Sequence, residues 1–350
     1  WSPIGDSFVY SAQASPGFYG GFESDLFIYD LKTDQSFRIV SRPGMDKNPK
    51  WSPDGKYIAF LSNYGRAGGL LPNIGLSVLS VADNRISDLG QKLDKGGFFE
   101  GPNKLVWSSD SKYIFYSLIY EAGARIIRGD ISQQTVSVFS DGKMTTDDVS
   151  SSSQTNLIGF RSSNFRNPPD IYITSTEKFE PIKVTDLNPQ IRQIDFPTGE
   201  VIKWKSKDGA MIDGLLVKPA DFDSNKKYPL LVLLHGGPST SYTDSFPVLD
   251  FFNPLREELL AANGYVVIAP NFRGSGGYGY EFRTSIKNDW GTLPFQDIMS
   301  GVDHLVEIRF LVLFHQEHVL PAGALQRLDH RAVVLLINEP LQLFDIAADA

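Results

Sequence analysis

The chain contains no cysteine, which excludes disulfides, thiol catalysis and cysteine-ligated zinc. It has no apolar run of the roughly 18 residues that a membrane-spanning helix needs, so no membrane span is expected. Basic residues are in the minority: 33 Lys and Arg stand against 41 Asp and Glu, for a net charge of −8. No basic stripe breaks that balance, which argues against a nucleic-acid partner. No signal peptide is visible at the start, so the compartment is left open, with the cytoplasm as the default. A further absence is local. Residues 308–350 contain no serine, threonine, lysine or tyrosine, although all four are common upstream.

What is present suits a folded chain of about two domains at roughly 150 residues each. Hydrophobic residues make up 41% of the 350, enough to bury a sizeable core. The first half repeats itself. Trp-Ser-Pro-Ile-Gly-Asp-Ser-Phe-Val-Tyr at 1–10 is echoed by Trp-Ser-Pro-Asp-Gly-Lys-Tyr-Ile-Ala-Phe at 51–60. Further copies follow at 107–116 and, more faintly, at 151–160. Each copy joins a polar turn to a short β-rich strand, and a second hairpin-like stretch follows it. Four strands in each repeat, with copies beginning at 1, 51, 107 and 151, is the pattern of a propeller blade. The repeat tryptophans, Trp1, Trp51 and Trp107, are expected to be buried between blades as core rather than to form a substrate cage. Because the chain opens inside the first copy of the motif, further blades are expected upstream.

From about Glu200 the period changes. A hairpin is expected over 201–218, then a continuous apolar strand over 228–234. A helix is expected over 254–263, with Leu255, Leu259 and Leu260 on one face and Gly264 as its cap. A second buried strand over 265–270 and a helix over 295–307 complete a βα alternation, which implies a parallel sheet. Chemistry-bearing motifs follow the strands. His-Gly-Gly-Pro at 235–238 follows the first, and Asn-Phe-Arg-Gly-Ser-Gly-Gly-Tyr-Gly at 271–279 follows the second. Asp-Trp-Gly at 289–291 and Asp297 come next. The glycine-rich loop after Arg273 fails the P-loop pattern and no P-loop lysine follows it; no cofactor is expected. Ser275 fails as a nucleophile, because Gly-x-Ser-x-Gly would need glycine where Arg273 stands. The His-Gln-Glu-His run at 315–318 matches neither zinc-protease pattern and reads as a solvated turn, so no metal is expected.

In order and spacing these motifs, behind a propeller, resemble the hydrolase domain of the prolyl oligopeptidase family, in its acylaminoacyl-peptidase and dipeptidyl-peptidase branch. The resemblance covers roughly residues 1–307. It implies a multidomain fold, β followed by α/β. Residues 1–195 would be a partial β-propeller of about four WD40-like, TolB-type blades. Residues 196–307 would be the N-terminal part of an α/β-hydrolase domain, and 308–350 a divergent tail resembling a frame-shifted or foreign segment. It also implies a serine peptidase that cleaves short peptides through an acyl-enzyme. Gly236 or Gly237 would supply an oxyanion-hole N–H. His235, Pro238, Arg273 and Gly274 would support the loops, and His235 would not be the triad base.

The family pattern breaks after Glu307. No Gly-x-Ser-x-Gly occurs in the 350 residues, and the triad serine, aspartate and histidine have no matching positions. The chain as it stands is therefore expected to be inactive. An esterase on the same scaffold and a non-catalytic propeller binding module remain alternatives. Peptide preference and oligomeric state are not fixed. The strand ending at Leu234 is expected to present an open edge prone to aggregation, which the apolar stretch 310–314 could cover.

Overall fold

The computed structural model describes residues 1–13, 15–16, 20, 22–66, 73–93, 95, 104–236, 239–246, 256–307 and 336–337. The chain divides into two compact units. The first comprises Trp1–Ser163, Pro169–Leu187 and Gly276–Thr284; the second comprises Asn164–Pro168, Asn188–Ser275 and Ser285–Ala350. The main division thus falls between residues 187 and 188, eight positions before the sequence-based boundary, and two short segments exchange sides.

The first unit is four antiparallel sheets in chain order. Blade 1 is β1 (Ser7–Gln13), β2 (Ser24–Asp30) and β3 (Gln35–Val40). Blade 2 is β4 (Asp46–Trp51), β5 (Tyr57–Ser62), β6 (Gly75–Ser80) and β7 (Ile86–Ser87). Blade 3 is β8 (Val106–Trp107), β9 (Tyr113–Ile119), β10 (Ala124–Asp130) and β11 (Thr135–Val138). Blade 4 is β12 (Thr145–Ser151), β13 (Leu157–Ser163), β14 (Asp170–Ser175) and β15 (Ile182–Lys183). Each blade pairs its strands as a meander, which is a β-propeller architecture.

The repeated turn has a physical cause. Ser52 Oγ lies 2.7 Å from Asp54 Oδ1 and accepts the Tyr57 N–H at 3.0 Å, while Asp54 accepts the Lys56 N–H at 3.1 Å. Ser108, Asp110, Tyr113 and Lys112 repeat this arrangement at 2.7, 2.9 and 3.2 Å. The serine–aspartate pair satisfies the turn's N–H groups, and so fixes where the next strand starts.

Successive blades bury apolar faces against each other. Leu26 and Val40 of blade 1 pack on Ile58, Phe60 and Leu79 of blade 2. Ala59, Leu76 and Val78 of blade 2 pack on Trp107, Ile114 and Tyr116 of blade 3. Phe115 and Ile126 of blade 3 pack on Ile158 and Phe160 of blade 4. The tryptophans do not share one environment. Trp107 is buried and donates its Nε1–H to Lys50 O of the preceding blade at 3.1 Å. Trp51 is half-buried at the blade 1–blade 2 contact. Trp1 is 71% exposed, contrary to expectation. Among the described residues its sheet has three strands, and its ring meets the edge of Phe8 at 5.4 Å between centroids.

The second unit is one mixed sheet. Its order is β16 (Thr198–Lys205), β17 (Met211–Lys218), β19 (Val266–Asn271), β18 (Leu230–Leu233), β20 (Leu336–Ile337). The β16–β17 hairpin and the β17–β19 pair are antiparallel; β19, β18 and β20 are parallel. Strands β18 and β19 are wholly buried, as their continuous apolar sequence requires. Helices α1 (Glu257–Ala262) and α3 (Thr292–Glu307) belong to this unit, whereas the short α2 (Tyr280–Thr284) lies in the first.

Two expectations are corrected here. The edge of β18 is not left open, since Val232 and Leu233 pair with Leu336 and Ile337; the stretch 310–314 lies outside the described residues. Helix α1 turns only part of its expected leucine face to the core, where Leu260 is half-buried against Ala261 and its neighbours. Leu259 is 50% exposed and Leu255 is not described, while Glu257, Glu258 and Ala261 are buried. Residues 257 and 258 lie four and three positions from Ala261, so the face that buries the alanine also carries the glutamates inward. Among the described residues, no helix is long and apolar enough to cross a membrane.

Candidate active-site loops

Two loops leave the carboxyl ends of the parallel strands β18 and β19, the edge at which open α/β sheets place their ligands. His235 and Gly236 follow β18; Phe272 to Ser275 follow β19. The rings of His235 and Phe272 stack at 4.6 Å with planes 9° apart, and Tyr242 meets His235 edge-on at 5.4 Å.

Hydrogen-bond logic fixes the histidine's tautomer. Ser275 Oγ lies 2.7 Å from Phe272 O, which can only accept, so the serine proton points there. The serine oxygen is then the acceptor for His235 Nε2–H at 2.9 Å. Nδ1 lies 3.0 Å from Thr240 Oγ1 and 2.9 Å from Gly236 O. Thr240 Oγ1 also reaches Gly236 O. Burial holds the imidazole below its ordinary pKa, against a smaller upward pull from the Gly236 carbonyl. Ser275 is fully buried and its proton is committed to a carbonyl. It has neither the exposure nor the free hydroxyl of a nucleophile.

Beneath this pair lies a polar anchor. Arg273 donates through its backbone N–H to Asp297 Oδ2 at 2.9 Å, and through Nε and Nη2 to the same carboxylate at 2.9 and 2.6 Å. Its Nη1 reaches Asp208 and its Nη2 reaches Ser206 Oγ at 3.3 Å. Ser206 in turn donates to Asp297 at 2.6 Å, and Trp204 Nε1 donates to the Asp297 carbonyl at 2.9 Å. The hydrogen bond to Asp297 raises the Arg273 pKa above its already high value, and Arg273 lowers that of Asp208. Gly274 has φ +105°, and a Cβ there would lie 2.6 Å from Ile286 Cδ1. Positive φ and close approach both demand glycine.

Gly236 is exposed, and a Cβ at that position would meet no atom within 4 Å; protein packing does not require this glycine. Gly237 and Pro238 lie outside the described residues, as does the 315–318 run. The structure brings together His235, Gly236, Arg273 and Gly274, the described part of the sequence-derived set. It adds Asn271, to which sequence reasoning assigned no role. Asn271 accepts the Tyr242 N–H at 2.8 Å and donates to Tyr242 O at 3.0 Å and Asp213 Oδ1 at 3.3 Å. It thereby ties the chain beyond the His235 loop to the end of β19. A buried polar residue closing an apolar strand was the available signal. Thr240 and Asp208 were missed because neither belongs to a recognisable spacing.

The fold and these loops define a propeller joined to an α/β-hydrolase sheet. Residues 251–316 match the prolyl oligopeptidase family. Dipeptidyl-peptidase 5 of Porphyromonas gingivalis is 28% identical over 309 residues, covering 87% of this chain and 43% of that protein. Its namesake from Trichophyton equinum is 28% identical over 271 residues, covering 75% of this chain and 35% of that protein. Among solved structures, acylaminoacyl peptidase of Pyrococcus horikoshii is similar with a TM-score of 0.68 and 19% identity, over 88% of this chain and 45% of that one. A puromycin-hydrolyzing peptidase of Mycobacterium tuberculosis is similar with a TM-score of 0.59 and 15% identity, over 89% and 47%. The structural likenesses are of fold. The chain is thus similar to the prolyl oligopeptidase family over these residues, and it spans less than half the length of the proteins it matches.

Proposed function

We propose that these residues are the propeller and part of the hydrolase domain of a serine peptidase that cleaves short peptides through an acyl-enzyme. Gly236 and Gly237 would line the oxyanion side of the site, supported by His235, Pro238, Arg273 and Gly274. The observation that carries the reading is the His235–Gly236 turn at the carboxyl end of parallel strand β18. There the carbonyl of Gly236 faces His235 and Thr240. A donor fixed in advance is what stabilises a developing oxyanion. The open surroundings of Gly236 leave room for a substrate backbone. In this reading the substrate's acyl group is esterified to a serine that residues 1–350 do not supply.

A chimera tests the reading. Replacing residues 308–350 by the corresponding segment of the Porphyromonas gingivalis relative should yield hydrolysis of short chromogenic peptides. Gly237→Pro in that chimera, which deletes one N–H, should lower turnover by about 10²–10³. A folded chimera that cleaves short acyl esters but no peptide would favour an esterase. One whose peptide turnover ignores Gly237→Pro would remove these glycines from the site.

A further inference from the structure

Within the second unit, the segment Asn164–Pro168 that connects β13 to β14 is built to present one side chain. Asn164 Oδ1 accepts the N–H groups of Arg166 at 3.1 Å and Asn167 at 2.8 Å, and the side-chain amide of Asn167 at 2.9 Å. The backbones of Asn164 and Asn167 also exchange N–H···O bonds of 3.2 Å in both directions. Such an Asx turn is held by its own side chain and backbone. Phe165, inside the turn, is 3% exposed and packs in one apolar cluster with Leu215 and Val217 of β17 and Leu231 and Leu233 of β18. The fit is close. A Cβ at Gly199 of β16 would lie 2.4 Å from the Phe165 ring, so the strand carries a glycine where the ring lies.

Phe165 also reaches the chain that follows the His235–Gly236 turn. Its N–H donates to Asp244 Oδ1 at 2.9 Å, and Tyr242 packs against the same apolar cluster. From the end of β19, the fully buried Asn271 holds the backbone N–H and C=O of Tyr242 at 2.8 and 3.0 Å. The Tyr242 ring meets His235 edge-on at 5.4 Å. Residues 242–244 are therefore held from two elements distant in sequence, and one of those residues touches the ring next to Gly236.

We propose that Phe165 is a positioning residue for the oxyanion-side loop: through Asp244 and Tyr242 it fixes the chain on which the His235–Gly236 turn rests. A loop clamped only at Tyr242 can still swing about that residue. A second bond two positions on removes that freedom, and its donor belongs to a turn whose own place is set by a ring in the core. An oxyanion donor has to be in place before charge develops, because reorganisation during the reaction is what such a site avoids. The effect on turnover rests on the peptidase reading; the effect on the loop does not.

Hydrogen exchange of the 350-residue chain, read by mass spectrometry, tests the loop. Asp244→Ala removes the acceptor and leaves the Phe165 ring in the core. It should speed exchange over residues 239–246 about tenfold, with β18 and β19 as protected as in the parent. Asp244→Asn keeps an oxygen for the Phe165 N–H and should restore slow exchange. An alanine variant that exchanges like the parent overturns the proposal. So does an asparagine variant as fast as the alanine one, which would assign the effect to charge. In the chimera proposed above, Asp244→Ala should lower kcat per titrated active site by about 10–100-fold with KM unchanged, and Asp244→Asn should recover it. An unchanged kcat per active site in a loosened loop would also overturn the positioning role. An inactive chimera would count against the peptidase reading alone, since the exchange comparison decides the positioning without it.

Discussion

His235 and Glu258 pull the pH dependence of stability in opposite directions. The folded pKa of His235 is depressed, so the unfolded chain binds more protons between that value and about 6.5. Stability contributed by the neutral imidazole is present above about pH 6.5 and is lost as pH falls below it. Burial, with the neighbouring Glu257 charge, pushes Glu258 up to about 7. The folded chain then holds a proton that the unfolded chain has released, and stability falls as pH rises from about 4.5 to 7. Melting temperatures measured across this range should show both slopes. His235→Asn should remove the acid-side loss, and Glu258→Gln should stabilise the chain at pH 8 by about 2 kcal/mol. A Glu258→Gln variant no more stable at pH 8 than the parent would contradict the burial of that carboxyl. At the anchor, Asp297→Asn leaves Arg273 without its buried counter-charge. It should cost about 3–5 kcal/mol by denaturant titration.

Packing between elements is close where blades touch. A Cβ at Gly129 of blade 3 would lie 2.6 Å from Leu76 Cδ2 of blade 2, so Gly129→Ala should destabilise by about 1–3 kcal/mol. Trp107→Phe should cost about 1 kcal/mol, through the lost bond to Lys50 O. Equal melting temperatures for parent and Gly129→Ala would show that the blades sit further apart than described. The blades were legible because the serine–aspartate turn recurs and alternation within each strand is strong. The second hairpin-like stretch expected after each copy corresponds to β2–β3, β6–β7, β10–β11 and β14–β15. Which tryptophan is buried was not legible, because burial depends on a neighbouring blade and not on the motif. Helix α1 misled for a related reason. Leu259 and Leu260 suggested a leucine face, but the orientation of so short a helix is set by where Ala261 packs against β17 and β19.

At the scale of the whole molecule, the strands that carry the site loops were legible as unbroken apolar runs, and the loops as glycine-rich motifs following them. The partners that hold the loops were not. Arg273 with Asp208, and Asn271 with Asp213, meet across 65 and 58 positions of sequence, which no local pattern encodes. The β18 edge was expected to be open, but Leu336 and Ile337 cover part of it. That pairing brings no Gly-x-Ser-x-Gly elbow, since that motif does not occur in the 350 residues. The central claim is that these residues supply the fold and the oxyanion-side loops of a serine peptidase without its nucleophile. Labelling the chain with a fluorophosphonate probe, read by intact-mass and peptide mass spectrometry, tests it most directly. The account predicts no adduct at any serine, under conditions in which a serine hydrolase is labelled completely. A stoichiometric adduct, at Ser275 or at any other serine, would contradict it.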